Sequence, residues 1–192
     1  MPEKYNVDSD LMWTPKEADW LSLNLSPSEY LRHYADLLDK FISINRPIWE
    51  KQFKIQSFLP LLGGIILDTA KYLKINPDFI LALAIHESAG GTSKICKDKN
   101  NFFGWMAYDK SPYNSAGYFN SPEGGVFWVM FRIRTLYFLE TGTYFKGATL
   151  RGLNKNYSTD KEESGDPLSW ADKVCKWMNK IDSFLVENNL TL

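Results

Sequence analysis

The sequence predicts a mainly α-helical (α+β) domain, and two patterns support this fold class. The first is a helix-start signal that occurs five times: a small capping residue followed directly by proline, at residues 14–15, 26–27, 76–77, 121–122 and 166–167. The capping side chain accepts hydrogen bonds from the free N–H groups of the first turn, and proline supplies the helical φ angle. The second pattern is the spacing of apolar residues after these signals, which places them on one helical face.

Six main helices are expected in order along the chain, with one more helical turn at 93–99 and a short helix within 141–152. In the first two, at 15–23 and 27–44, a glutamate at the third helical position completes a capping box. Pro47 is expected to end the second helix near residue 44. Gly63 and Gly64 lie inside the third helix, where each costs about 1 kcal/mol relative to alanine, so we expect another backbone to approach closely there. The expected bounds of the last four helices are 58–74, 77–88, 122–140 and 167–188.

The segment from residue 100 to residue 120 is expected to supply the β structure. Residues 100–108 predict a turn that runs into a short strand. Residues 109–120 are rich in Ser, Pro, Asn and Gly, which is typical of a loop or weak hairpin. Because this segment follows Glu87 closely in the sequence, we expect it to form a flap over whatever Glu87 faces.

The composition excludes several classes of function. Among 192 residues, 44% are hydrophobic and the net charge is −1, which favours one sizeable core and argues against a nucleic-acid-binding surface. The longest apolar stretch, 58–67, is too short to insert into a membrane. His86 and Glu87 resemble the start of a zinc-protease helix, but Gly90 stands where the second histidine is required. We therefore expect no metal and no cofactor. Cys96 and Cys175 form either a disulfide or two free thiols.

Glu87 is the candidate catalytic residue. The apolar run 80–85 leads directly into it, and Gly90 and Gly91 are expected to end the helix just beyond. A carboxyl group in that position is expected at the edge of the core, where loss of hydration raises its pKa. A raised carboxyl pKa suits a general acid near neutral pH.

Five motifs in fixed order resemble one known family. They are Glu87-Ser88-x-x-Gly91-x-Ser93, Asn100-Asn101-x-Phe103-Gly104, Gly104-Trp105-Met106-Ala107-Tyr108-Asp109, Ser121-Pro122-Glu123-Gly124-Gly125, and Asn156-Tyr157-Ser158-Thr159-Asp160 followed by Trp170-Ala171. Together they resemble the glucosaminidase domain of bacterial autolysins and phage lysins, which cuts peptidoglycan glycan strands. The resemblance covers about residues 59–184. Trp105 and Met106 replace smaller aliphatic residues of the family, and Ser158 replaces alanine.

The resemblance implies a lysozyme-like helical domain with a small β-containing lobe and a cleft between them. We assign residues 56–192 to this catalytic domain and residues 1–55 to an N-terminal helical extension packed on it. The implied activity is cleavage of the β-1,4 bond after N-acetylglucosamine, with Glu87 as the acid.

A second catalytic group is less determined. Glu123 is a candidate base or stabiliser, although a glutamate at a helix start also complements the helix dipole. In the alternative mechanism the 2-acetamido group of the substrate attacks the anomeric carbon, as in other substrate-assisted glycosidases. Tyr157 then positions that group or stabilises the developing charge.

The candidate substrate-binding residues are polar and aromatic side chains of the same motifs and of the flap. For the aromatic ones, packing in the core is about as good an explanation as stacking on sugar rings, and for Asp109 and Asp160 a turn role is simpler. The candidates are Asn101, Phe103, Trp105, Tyr108, Asp109, Tyr118 and Asp160.

Two other functions remain open at the level of the sequence. One is a lytic transglycosylase or muramidase on the same scaffold, and the other is a catalytically silent wall-binding or virion structural module. Residues 1–8 lack the basic start and apolar run of a signal peptide. We therefore expect a protein made in the cytoplasm that reaches the cell wall by another route, either phage-encoded or cut from a larger autolysin. Residues 1–55 form an added helical layer or an arm that binds other virion or cell-wall proteins.

Overall fold

The structure is a computed structural model that describes residues 3–16, 19, 21–157 and 166–190. The described residues are mainly helical, so the predicted fold class is confirmed. The helices are α1 (Pro27–Phe53), α2 (Gly63–Leu73), α3 (Pro77–Glu87), α4 (Lys94–Lys99), α5 (Pro112–Ser115), α6 (Pro122–Ile133), which continues as the π-helical segment Arg134–Phe138, α7 (Leu150–Tyr157) and α8 (Ser169–Glu187). None of the helices in this part of the chain combines the length and the apolar character needed to cross a membrane.

Three of the predicted helix starts are formed by the capping residue itself. Ser26 and Glu29 make both hydrogen bonds of a capping box at α1. The Asn76 side chain accepts from the backbone N–H groups of residues 78 and 79, and Ser121 accepts from the N–H of Gly124. The expected helix at 15–23 includes residues 17, 18 and 20, which lie outside the described residues.

The prediction that Pro47 ends the second helix is wrong, because α1 continues to Phe53. Proline removes the backbone N–H that would otherwise donate to the carbonyl of Ser43, four residues earlier. Beyond the proline, Trp49 is buried in the core. Burial of a tryptophan offsets the roughly 3 kcal/mol that a proline costs inside a helix.

The close approach expected at the glycine pair is confirmed at Gly63. A Cβ atom there would collide with the carbonyl oxygen of Ala35 on α1, whereas at Gly64 it would meet open space. The helix begins at Gly63, five residues later than expected. Residues 58–62 have no regular secondary structure, and Phe58 donates its N–H to the carbonyl of Gly91.

Helix α3 is the central element of the core. Every residue from 77 to 85 is buried, and α3 packs along α8 and against α2. Side chains that precede residue 55, including Tyr5, Leu11 and Tyr34, belong to the same hydrophobic core as the side chains of α3. The division of the chain at residue 55 stays a prediction. Cys96 and Cys175 are both buried free thiols.

The short strand expected after Gly104 is not formed, and the small β-containing lobe is not shown. Residues 102–111 are successive turns, and outside the helices the described residues form isolated bridges, Asp10 with Thr149 and Met12 with Ile75. Gly104 and Met106 both have φ near +60°, which a regular strand does not tolerate. The segment is held by side-chain hydrogen bonds instead.

Candidate active site

Glu87 is the last residue of α3, and its side chain is half-exposed. The buried residues before it fix the helix in the core, so the carboxylate emerges where the core meets the surface. The C-terminal end of a helix disfavours a negative charge because the unpaired carbonyls there carry partial negative charge. A carboxylate in that position needs a compensating donor.

Trp170 is that donor. Its indole Nε1 donates a hydrogen bond to Glu87 Oε1 at 2.7 Å. Trp170 is the second residue of α8 and only 3% exposed. Its ring packs against Tyr157 and edge-on to His86, with centroid distances of 5.4 Å and 6.3 Å. The sequence motif contained Trp170, but its contact with Glu87 depends on how α8 packs along α3, which the sequence pattern does not show.

Gly104 faces the other carboxylate oxygen. A Cβ atom added at Gly104 would lie 3.6 Å from Glu87 Oε2. The residue has φ +60°, a conformation that favours glycine. Glycine at this position therefore keeps a Cβ atom away from Oε2.

Asn101 holds the loop that contains Gly104. Its buried side-chain amide donates to the carbonyls of Trp105 and Gly117, at 2.9 and 3.0 Å, and its oxygen accepts from the N–H of Trp105 at 2.9 Å. Phe103 is buried as well. The side chains of Asn101 and Phe103 therefore stabilise the interior of the loop. Any effect of either residue on a substrate is indirect, through the position of that loop.

An aromatic groove begins at Trp105, the residue after Gly104. It encloses a cavity of about 490 Å³. The Trp105 ring lies edge-on to Trp128, which also packs against Phe119, at centroid distances of 5.5 and 5.7 Å. Tyr118 is 66% exposed at the rim. The lining residues are Trp105, Met106, Gly117, Tyr118, Phe119, Asn120, Ser121, Gly124 and Trp128. Glu87 and Gly104 are not among these lining residues, and the groove is linked to them through Trp105, which follows Gly104 in the sequence. Two predicted sugar-stacking residues, Trp105 and Tyr118, line the groove.

Tyr157 contacts both Trp170 and the loop that contains Gly104. Its hydroxyl donates to the carbonyl of Phe103 at 3.1 Å. Burial, and then the negative charge of Glu87, raise the pKa of Tyr157 well above its ordinary value. The phenol is therefore neutral at any physiological pH, and its oxygen retains lone pairs that can accept a hydrogen bond.

Glu123 occupies the start of α6 and is exposed. Hydrogen bonds from its own backbone N–H and then from the Ser121 side chain hold the pKa of Glu123 below its ordinary value. Glu123 is therefore ionised at neutral pH, as a base or charge stabiliser must be. The same contacts also suit a residue that only completes a helix start.

Three predicted site residues remain, Tyr108, Asp109 and Asp160. Tyr108 and Asp109 are exposed, and the N–H of Tyr108 donates to the Ser115 hydroxyl. Asp160 falls within residues 158–165, which lie outside the described residues. Among the described residues, no three His, Cys, Asp or Glu side chains come together as a metal site.

Comparison with known proteins decides the family. The sequence model of the glucosaminidase family, described as mannosyl-glycoprotein endo-beta-N-acetylglucosaminidase, matches residues 64–188, a span that contains Glu87, Gly104, Tyr157 and Trp170. The chain belongs to the glucosaminidase family. The resemblance inferred from the five motifs is therefore confirmed.

Two curated relatives, both from strains of Streptococcus pneumoniae, carry the provisional name endo-beta-N-acetylglucosaminidase. Each is 32% identical over 161 residues, which is 82% of this chain but only 22% or 20% of the relative. The chain thus spans about a fifth of the length of these glucosaminidase relatives.

Two solved structures of Staphylococcus aureus autolysin E share the fold. One is a catalytic mutant in complex with the disaccharide NAG-NAM, with TM-score 0.53 and 20% identity over 78% of this chain and 66% of autolysin E. The other holds the muropeptide NAM-L-Ala-D-iGlu, with TM-score 0.50 and 21% identity over the same shares of the two chains. At this identity the similarity establishes a common glucosaminidase fold.

Proposed function

We propose that this chain is a peptidoglycan hydrolase that cleaves the β-1,4 bond after N-acetylglucosamine, with Glu87 as the general acid. The observation that carries the proposal is the carboxylate of Glu87, half-exposed at the end of a buried helix, with Oε1 anchored by Trp170 and Oε2 facing Gly104. The names of the curated relatives and the glycan fragments bound to autolysin E support the substrate class.

The aromatic groove supplies a binding site for the glycan strand. Sugar rings present apolar C–H faces that pack well on aromatic side chains, while their hydroxyls stay hydrogen-bonded at the rim. Trp105 and Tyr118 line this groove, and Trp105 directly follows Gly104 in the sequence. A ring bound there places the neighbouring glycosidic oxygen towards Glu87 Oε2, which transfers its proton to that oxygen as the bond to the anomeric carbon breaks.

Tyr157 and the 2-acetamido group of the substrate are the favoured second component. The neutral Tyr157 oxygen, close enough to Glu87 for the two to interact electrostatically, is suited to accept the acetamido N–H and orient the carbonyl for attack on the anomeric carbon. We expect Tyr157→Phe to lower kcat on purified sacculi by about 10- to 100-fold.

Glu123 is the competing second component, because its carboxylate is ionised and lies at the start of α6 beside Gly124, a groove residue. Here the measurement is the rate for Glu123→Gln. A loss of more than about 100-fold favours a catalytic base, whereas a rate within a few fold of wild type leaves the acetamido route as the mechanism.

The experiment that tests the proposal compares Glu87→Gln with Glu187→Gln. Glu187 also ends a helix, α8, but it is exposed on the far end of that helix. The expected result is a loss of about 10²–10⁴-fold in release of reducing ends from purified sacculi for Glu87→Gln, with no loss for Glu187→Gln. Wild-type activity in Glu87→Gln would overturn the assignment.

The identity of the new reducing end separates the related activities. N-acetylglucosamine at the reducing end of borohydride-reduced fragments supports the proposal. A reducing muramic acid indicates a muramidase, and an anhydro-muramic end indicates a transglycosylase. Binding to sacculi without any lysis by the wild type would identify a silent wall-binding module.

The site of action that follows from this proposal is the bacterial cell wall. A phage-encoded or virion-associated origin, and contacts of residues 1–55 with other virion or cell-wall proteins, stay predictions. Pull-down of wall or virion proteins by the full chain tests the second of them.

A further inference from the structure

The lining of the aromatic groove carries no charge. Its nine residues have aromatic, apolar, small or uncharged polar side chains, and none of them is acidic or basic. A peptidoglycan strand, by contrast, is anionic, because the peptide stems on its muramic acid units carry free carboxylates. Recognition of those charges therefore has to come from residues beside the groove rather than from its lining.

Arg132 is a cation that contacts one wall of the groove. It lies four residues after Trp128 on α6, a spacing that places both side chains on one helical face. Its guanidinium carbon is 5.7 Å from the centre of the Trp128 ring, and Trp128 lines the groove. Arg132 is not itself a lining residue, so its guanidinium lies at the edge of the groove, against Trp128.

Among the described residues, the guanidinium of Arg132 pairs with no carboxylate. The two ion pairs found there join other residues, and Arg132 Nε is buried without a hydrogen-bond partner. Contact with the face of Trp128 stabilises the positive charge but uses none of the N–H bonds, which lie in the plane of the guanidinium. Because the residue as a whole is only partly buried, its terminal amino groups are the donors that a ligand can reach.

Two other cations in this region are engaged differently. Arg134 donates from its Nε to a backbone carbonyl of α2 at 3.0 Å. Lys99 donates to two backbone carbonyls of the segment 109–120. The donors of Arg134 and Lys99 thus hold parts of the fold together. Arg132 differs from both, because its contact with Trp128 leaves its donors for an anion.

We propose that Arg132 is a specificity-determining residue that binds a carboxylate of the peptide stem when a sugar ring packs in the aromatic groove. This rests on the proposed function, in which the groove binds the glycan strand. A guanidinium donates two parallel hydrogen bonds to a carboxylate, and the apolar surface of Trp128 reduces the screening of that pair by water. A glycan without acidic stems, such as chitin, forms no such pair and is therefore bound less tightly.

The test measures binding of a fragment that has no glycosidic bond, so that its result does not depend on cleavage. The probe is N-acetylmuramoyl-L-alanyl-D-glutamic acid, compared with its dimethyl ester, which keeps the sugar and the peptide but has no carboxylate. Dissociation constants come from NMR titrations, with the indole N–H signals of Trp105 and Trp128 as reporters of the groove. For the wild type we expect the ester to bind about five- to tenfold more weakly than the acid, as a partly exposed charge-assisted pair implies.

Three variants assign that preference to one side chain. Arg132→Gln is expected to bind acid and ester equally, both with the affinity that the wild type has for the ester. Arg132→Lys keeps the charge without the planar fork, so an intermediate preference is expected. Arg32→Gln is the matched control, because Arg32 is exposed on α1 and its replacement changes the net charge by the same amount. It should keep the wild-type preference.

Equal affinity of the wild type for acid and ester overturns the proposal, and so does a preference for the acid that survives in Arg132→Gln. Absence of saturable shifts at the two indole signals in the wild type overturns it as well. Each of these results is distinct from failure of the proposed function, which an active Glu87→Gln on sacculi would show. Loss of the preference in Arg132→Gln together with an inactive Glu87→Gln supports both.

Discussion

The two ends of helix α3 each carry a carboxylate, and their surroundings differ. At the start of the helix, Asp78 is fully buried, and both of its oxygens accept hydrogen bonds from tyrosine hydroxyls, Oδ1 from Tyr34 at 2.6 Å and Oδ2 from Tyr5 at 2.8 Å. At the end of the helix, Glu87 is half-exposed, with Oε1 bonded to Trp170 and Oε2 facing Gly104.

The comparison separates a structural carboxylate from a candidate catalytic one. Asp78 has no oxygen that a ligand can reach, so its contacts can only join the N-terminal residues and α1 to the core. Glu87 is only partly buried, and Trp170 anchors one of its oxygens. Within one helix, partial exposure is the difference on which the proposed role of Glu87 as an acid depends.

The largest expected effect on stability comes from Asp78→Ala. It leaves the Tyr5 and Tyr34 hydroxyls buried without their acceptor, which destabilises the fold by about 2–5 kcal/mol. Urea unfolding measures the loss, and Asp68→Ala on the exposed side of α2 is the control, expected within about 0.5 kcal/mol of wild type. The rate per folded molecule should stay close to wild type. An unstable Asp78→Ala protein with greatly reduced activity per folded molecule would contradict a purely structural role for Asp78.

The second effect is a pH dependence of stability that originates at Asp78. Burial raises the pKa of Asp78 from 3.8 to about 6, despite the opposing hydrogen bonds from Tyr34 and Tyr5. Between these two pH values the folded state binds more protons than the unfolded state, so this residue makes stability fall as pH rises through the window. For Asp78→Asn, the midpoint of urea unfolding should change less between pH 4 and pH 6 than it does for the wild type. An identical slope in wild type and variant would remove Asp78 as its source.

A smaller effect is expected at Gly104. Gly104→Ala places a Cβ 3.6 Å from Glu87 Oε2 in a left-handed backbone conformation, so stability falls by about 1 kcal/mol and activity by about tenfold. Gly147→Ala is the matched control, since Gly147 also has positive φ but its nearest described neighbour is the Thr149 hydroxyl. The control should lose similar stability and no activity. Equal activities in the two variants would show that a Cβ atom beside Oε2 is tolerated.

The smallest effect is expected at Lys99, which is hydrogen-bonded to the segment 109–120. Its ammonium donates to the carbonyls of Tyr113 and Ala116 and so joins α4 to the segment that leads to Tyr118. Lys99→Met should raise KM about two- to fivefold, with kcat within about twofold, because it loosens part of the groove and leaves Glu87 unchanged. Lys97→Met, on the same helix, is the control. A fall in kcat at constant KM would place the effect at the chemical step instead.

Helix starts and the family could be predicted from the sequence because both depend on local residue order. Ser26, Asn76 and Ser121 cap their helices through hydrogen bonds within three residues. The end of α1 could not be predicted, since it depends on burial of Trp49 against other helices. The missing strand after Gly104 has a similar cause: the side chain of Asn101 makes the hydrogen bonds that a partner strand would otherwise make.

The candidate site could be predicted at Glu87 and only partly around it. The apolar helix before Glu87 is visible in the sequence, and so is the motif that contains Gly104. The Trp170 contact spans 83 positions along the chain, and no residue pattern reports which nitrogen reaches which oxygen. Asn101 and Phe103 matched the motif as substrate contacts, but their burial became apparent only from the packed loop.

The most direct test of Glu87 as the acid is a comparison of two substrates with Glu87→Gln. Purified sacculi have a poor leaving group that must be protonated, whereas a dinitrophenyl glycoside of di-N-acetylchitobiose has a leaving group that needs no proton. The account predicts a loss of about 10²–10⁴-fold on sacculi and a rate within a few fold of wild type on the dinitrophenyl glycoside. Equal losses on both substrates, or full activity on sacculi, would contradict it.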